Sequence, residues 1–467
     1  MSFSDLLEWV VGYLTQPMLE TTLDIFTIFG WIFLGWLLLV AGFKLLATYK
    51  VIRYDRKLNY ILLAVDVPPL NEQTPKAMEQ LYTQIYNVMK PASIGMTYWH
   101  GFRQFDFSFE IISIEGYIQF IIRTLDKYKD VVEAAVYAQY PDAEITEVED
   151  YVNVAPKRYP NETHNIWSCE FILQEDQAYP IRTYEEFEHS ITKDAVLKDP
   201  MSAFLESFSR IGPGEQVWFQ MMIEPVRESE WKEGVIKKIK EEIGEKTPAK
   251  PNFFLDFLNE PSSTMGEVKN QLLGQVSAEA APAKKDNPDK NSLLYMTPGA
   301  KKIVESMENK IRKTGFRTKI RFVYLAEKAH YNPSRCINSV VGAMNQFSIP
   351  TSNSLKCKLP TSAEYFMSKQ RENRRRNILM GAYKSRDMYA GKDPYILNIE
   401  ELATVWHFPM SYVTAPLLQK AVNKSAEPPP GLPVEGVSIR DDELPNAGKK
   451  EFSTDAGPEY SKDQQFG

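Results

Sequence analysis

Between residues 369 and 386 the chain carries Lys369, Arg371, Arg374, Arg375, Arg376, Lys384 and Arg386. Such a run supplies cations for phosphate oxygens, whether of anionic lipid or of nucleic acid. On a helix the same composition more often makes a solvated face. A second group, Lys44, Lys50, Arg53, Arg56 and Lys57, follows directly on an uncharged stretch and suits the headgroup region of a membrane. Chemistry beyond charge has no pattern to stand on. The three cysteines, Cys169, Cys336 and Cys357, are far apart and form no CxxC pair, so a disulfide framework or zinc site is not expected. The five histidines show neither HxxxH nor HExxH spacing, and no metal or cofactor is expected. No GxxxxGK(S/T) phosphate loop occurs, and no GxSxG, SxxK or Cys–His arrangement stands in a recognisable context. Gly212-Pro213-Gly214 is a helix stop before a strand, the reverse of a phosphate loop. The reading is of a protein that binds rather than catalyses.

The element that positions the second basic group is residues 25–43, IFTIFGWIFLGWLLLVAGF, uncharged between Asp24 and Lys44. As a helix this reaches about 28 Å, close to the roughly 30 Å hydrocarbon thickness of a bilayer. Residues 1–24 hold Asp5, Glu8, Glu20 and Asp24 and no Lys or Arg. The positive-inside rule therefore puts the N-terminus outside and the bulk of the chain in the cytoplasm of a bacterial cell. Trp31 and Trp36 fall inside the span and read as packing groups. Phe3, Leu6, Leu7, Val10, Val11 and Leu14 share one helical face, which suits an interfacial helix over 1–20 ahead of a transmembrane helix over 21–49.

Beyond residue 58 the period changes, and the expected class is α+β. A buried strand over 59–67 is followed by a helix opened by Thr74-Pro75. Phe105, Phe107, Phe109 and Ile111 alternate with Asp106, Ser108 and Glu110 as a strand buried on one side. A turn at Glu115-Gly116, a strand over 117–123, a helix over 126–139 and a strand over 143–148 complete β-α-β-β-α-β. Residues 58–151 thus read as a ferredoxin-like unit. The order returns over 160–360. Strands are expected at 166–173, at Val217–Ile223 and at Phe316–Tyr324, with helices after Asp199-Pro200 and Asn332-Pro333. A helical insertion over 228–314 interrupts this second unit, and its 244–296 stretch reads as linker with two apolar islands. A basic helix and a short docking segment over 361–424 follow, then a disordered tail over 425–467 rich in Pro, Asp and Lys. The net charge of −7 argues against a dedicated nucleic-acid binder.

Several phrases carry a family likeness: VEAAVYAQYPDAEITEVEDY (132–151), GEQVWFQMMIEPV (214–226), KTGFRTKIRFVYLAEK (313–328), VVGAMNQF (340–347), ILNIEELATVWHFP (396–409) and KSAEPPPGLP (424–433). With them the chain resembles the membrane-anchored N-terminal region of type IV secretion, or conjugation-type, ATPases of candidate-phyla bacteria. In that family a P-loop motor follows the proline-rich linker. No such motor follows here, so the resemblance implies the anchor without the engine. It further implies a scaffold or adaptor that binds other components of the apparatus, including a separately encoded motor. The competing expectation is a membrane-tethered nucleic-acid binder using the 369–386 run.

Overall fold

The computed structural model describes residues 18–410 apart from 69–70, 89–93, 190–195, 198, 245–295, 359 and 364–365. The expected interfacial helix over 1–20 (save its last three residues), the apolar islands of the insertion, the proline-rich linker and the tail over 425–467 lie outside the described residues. Helix α1 (Met18–Asp55) contains the uncharged stretch and continues past it. It is long and apolar enough to cross a membrane. It runs on beyond Lys44 because no Gly or Pro intervenes and good helix formers continue to Tyr54. Leu45, Leu46, Tyr49 and Ile52 prolong its exposed apolar surface, and Trp31 and Trp36 are exposed too.

The first half of the remaining chain runs through β1 (Tyr60–Asp66), α2 (Lys76–Tyr86), α3 (Ile94–His100), β2 (Phe107–Ile114), β3 (Tyr117–Leu125), α4 (Lys129–Gln139) and β4 (Glu144–Val148). The second half runs through β5 (His164–Leu173), the small hairpin β6 (Glu188–His189) and β7 (Val196–Leu197), α5 (Met201–Ser209), β8 (Glu215–Pro225), α6 (Glu228–Ile243), α7 (Pro298–Arg312), β9 (Gly315–Glu327), α8 (Pro333–Asn345) and β10 (Leu355–Lys358). It closes with α9 (Ser368–Ser385), β11 (Tyr395–Asn398) and α10 (Ile399–Val405). Local signals explain many of the boundaries. Thr297 caps α7 by accepting from the Ala300 amide, with Pro298 in the first turn. Glu115 and Gly116 both take positive φ, 54° and 94°, which is the backbone a two-residue hairpin between β2 and β3 requires.

The halves are not separated at residue 151. They share a nine-stranded sheet in the order β10-β5-β9-β8-β2-β3-β1-β4, with β11 added on β9. Every pairing is antiparallel, and the seam is β2 on β8, where Phe107 stands opposite Ile223 and Ile114 opposite Gln216. One face of this sheet is covered by α2, α4, α5, α8 and α10. There Met78, Leu81, Val132, Phe204, Phe208, Val340 and Leu402 join Phe109, Phe219 and Phe322 of the strands in one apolar core. At about 1.5–3 kcal/mol for each large side chain withdrawn from water, this face supplies most of the drive for folding.

The opposite face differs from expectation. The alternating residues of β2 were expected to face water, yet Ser108 and Glu110 are fully buried. Helix α9 lies over them, with Met380 and Tyr383 packed on Leu62, Ile112, Trp218 and Val323. Alternation here separates an apolar layer from a buried polar one rather than core from solvent. The stretch 396–409, read as part of a docking segment, is interior as well. Leu397, Leu402, Trp406 and His407 are fully buried. Asn398 and Glu401 form a reciprocal capping box at the start of α10.

Where the chain leaves α1 it makes a compact neck. Phe102, Phe105 and Leu125 pack with Tyr54, Leu58, Tyr60 and Tyr128. Gly101, at φ +69°, lies so close to α1 that a Cβ there would stand 2.4 Å from the Lys50 carbonyl carbon. Only glycine admits that approach.

Candidate functional site

The expected basic cluster does not stay together. Arg386 is buried at the C-terminal end of α9, in the left-handed conformation (φ +50°). Its Nε donates to Glu110 Oε1 at 2.9 Å, and its two terminal nitrogens donate to Asp150 at 2.7 and 2.9 Å. Glu110 also accepts from Ser108 at 2.7 Å, Gln220 at 3.0 Å and the Tyr151 hydroxyl at 2.9 Å. Burial alone would raise this carboxyl; Arg386, with the Ser108 and Gln220 donors, instead brings it down to about 2. Lys384 donates to the Ala155 carbonyl at 2.5 Å, and Arg375 to those of Pro360 and Ser362 at 3.0 and 2.8 Å. Arg376 pairs with Glu372 at 3.3 Å. These four cations hold the chain to itself. Lys369, Arg371 and Arg374 are exposed at the other end of the helix.

A second ionic knot seats the loop after α9. Glu170 on β5 takes Arg321 at 3.1 Å, Lys319 at 3.2 Å and the Lys392 amide at 2.7 Å. Arg321 then donates to the carbonyls of Ala382, Asp387 and Ala390 at 3.2, 2.6 and 2.8 Å, tying the helix end and the loop after it to the sheet. On the apolar face, Lys310 and Glu401 form a fully buried pair at 3.0 Å, and Lys313 bridges Glu79 at 3.1 Å and Glu400 at 2.7 Å. Beside these lies an open cleft of about 390 Å³, also lined by Ile181, Glu185 and Arg312. Burial, then Glu400, raises the Glu185 carboxyl. Among the described residues no three His, Cys, Asp or Glu side chains are grouped to hold a metal.

The orientation of α9 follows from its neighbours. Asn377 donates to the Tyr159 carbonyl at 2.6 Å, just before β5 begins at the end of the sheet remote from the neck. Tyr389, just past the helix, donates to Glu224 at 3.1 Å near the neck end of β8. The helix therefore runs along the strands with its exposed cations at the end away from α1. Phe366, 84% exposed, and Met367 stand beside them. In the second basic group, Lys44, Arg53, Arg56 and Lys57 are exposed. Lys50 is tied down, its Nζ donating to the Trp99 carbonyl at 3.0 Å and lying 5.1 Å from the indole centroid.

Three exposed cations limit what the basic run can do with DNA. Each phosphate neutralised adds roughly 0.9 to the slope of log affinity against log salt, so duplex binding by the full chain should show a slope of no more than about 3 and vanish near 150 mM salt. A slope of about 6, lost on combined Lys369, Arg371 and Arg374→Ala substitution, would show that more of the chain reaches phosphate.

Fold and site together define an α+β protein built on one large antiparallel sheet with an apolar N-terminal helix. The chain belongs to the DUF8128 family, a domain of unknown function whose profile matches residues 62–420. No curated protein matches it.

Proposed function

We propose that this chain is a non-catalytic, membrane-tethered scaffold or adaptor in a type IV secretion-like or conjugation-like apparatus. Helix α1 crosses the bacterial cytoplasmic membrane with its N-terminus outside, and the sheet stands in the cytoplasm to dock a separately encoded motor. The observation that carries this reading is the use made of charge. The buried ionic groups brace α9 and the C-terminal strand, while a small apolar and basic patch, Phe366, Met367, Lys369, Arg371 and Arg374, is left exposed at the end remote from α1. The flanking cations Lys44, Arg53, Arg56 and Lys57 support the orientation. The strand orders β2-β3-β1-β4 and β8-β9-β5-β10 follow one pattern, second strand, third, first, fourth. This supports reading each half as a ferredoxin-like unit, joined through their second strands. The family likeness supplies the kind of apparatus.

The test is copurification. The full chain, extracted from membranes in mild detergent, should bring down a P-loop ATPase. Phe366→Asp combined with Lys369→Glu should remove most of it while leaving the unfolding curve unchanged. Absence of any ATPase, together with duplex binding that survives physiological salt, would replace this reading with the tethered nucleic-acid binder.

A further inference from the structure

Helix α3 leaves two large apolar side chains in the open. Trp99 is 69% exposed, and Met96, one turn earlier on the same face, is 39% exposed. Their position explains them. Helix α3 packs on α1, and Lys50 lies over the Trp99 indole while its Nζ donates to the Trp99 carbonyl. Gly101 fixes the two backbones against each other at the same level. On α1, the exposed apolar surface continues through Leu45, at 71%, Leu46 and Tyr49, and beyond them Ile52 is outnumbered by Lys50, Arg53, Arg56 and Lys57. The hydrocarbon boundary therefore lies between Lys44, whose amine can reach outward, and Lys50. About 9 Å of helix separates those two lysines, close to the depth of one headgroup layer. That places the Trp99 ring in the layer where indole is most favoured, with an apolar body and a polar edge.

We propose that α3 is a second membrane contact: Met96 and Trp99 insert at headgroup level and, with Lys50, make a bipartite anchor with α1. The inference rests on α1 spanning the bilayer. Its occupant is lipid, because the exposed face is continuous with the lipid-facing surface of α1 and ends where the cations begin. The anchor prevents the sheet from swinging freely about the end of α1.

The full chain would be reconstituted in vesicles of phosphatidylethanolamine and phosphatidylglycerol, carrying an environment-sensitive fluorophore on a single introduced cysteine. The background would be Cys357→Ser, since Cys169 and Cys336 are buried. Labels would be placed by Leu38→Cys within the span, Met96→Cys on α3 and Tyr117→Cys at the far end of the sheet. The Leu38 label should be quenched by nitroxide on the acyl chains. The Met96 label should be quenched by nitroxide on the headgroups, and the Tyr117 label by neither. Adding Trp99→Ala should abolish most of the Met96 quenching without touching that at Leu38. A quenched Leu38 label beside a Met96 label no more quenched than Tyr117 would overturn the second anchor and leave the span standing. Met96 quenching indifferent to Trp99→Ala would also overturn it. An unquenched Leu38 label would remove the span reading and this inference with it.

Discussion

Arg386→Ala should destabilise the protein by about 3–5 kcal/mol, the usual cost of stripping a buried carboxylate of its partner. Glu110 is fully buried, and Ser108, Gln220 and Tyr151 would remain as its donors without a countercharge. The loss should depend on pH in a defined sense. In the natural protein Glu110 sits at about 2, below its ordinary value of 4.5. Its contribution to stability is therefore complete above about pH 4.5 and is lost as pH falls toward 2. In the variant, burial without Arg386 raises the same carboxyl, so the folded state gains a proton first. The gap between the two proteins should therefore narrow from neutral pH to about pH 2. Urea unfolding of the detergent-solubilised chain at several pH values measures it; a gap independent of pH would mean that Arg386 acts by packing alone. Glu110→Gln in the Arg386→Ala background should recover part of the loss, because it removes the unpaired charge and keeps an acceptor for Ser108 and Gln220.

Trp406→Ala should cost a similar 3–5 kcal/mol by leaving a large cavity in the core. The indole is fully buried against Phe109, Phe120 and Phe408, with ring centroids 5.0, 5.5 and 5.0 Å away. Its carbonyl also takes the Tyr82 hydroxyl at 3.2 Å. The residue follows α10, whose preceding strand pairs with β9 in the second half, yet the ring packs on β2 and β3 of the first. The loss should therefore appear as a lowered urea midpoint for the whole sheet. Trp406→Phe should cost much less, since among the described residues the indole nitrogen has no hydrogen-bond partner to lose. An early transition confined to the C-terminal strand and helix would show instead that this segment is an appendage.

Much of the sheet was legible because its strands alternate. Phe105–Ile111 and Phe316–Tyr324 announced themselves, as did the turn at Glu115-Gly116. The seam between β2 and β8 was not, since an edge strand and an internal strand share the same period. Nor could alternation say where Ser108, Glu110 and Arg321 point. Water and a buried ionic layer ask for the same residue types, and the partner that decides between them, Arg386, is 276 residues from Glu110. The basic run shows the same limit. Its charges were plain, but only the packing of α9 on the sheet shows that Arg375, Arg376, Lys384 and Arg386 brace the chain while Lys369, Arg371 and Arg374 stay exposed. The Asn398–Glu401 capping spacing was a local signal for α10, and it marks an interior helix rather than a docking tail.

The join between α1 and β1 has a mechanical meaning. Few residues separate Asp55 from Tyr60, and the neck grips both. A pull on α1 therefore enters the sheet at the first residue of β1. Because β1 is flanked by β3 on one side and β4 on the other, a load along that strand is met in shear, with both ladders of hydrogen bonds stretched together instead of opened one at a time.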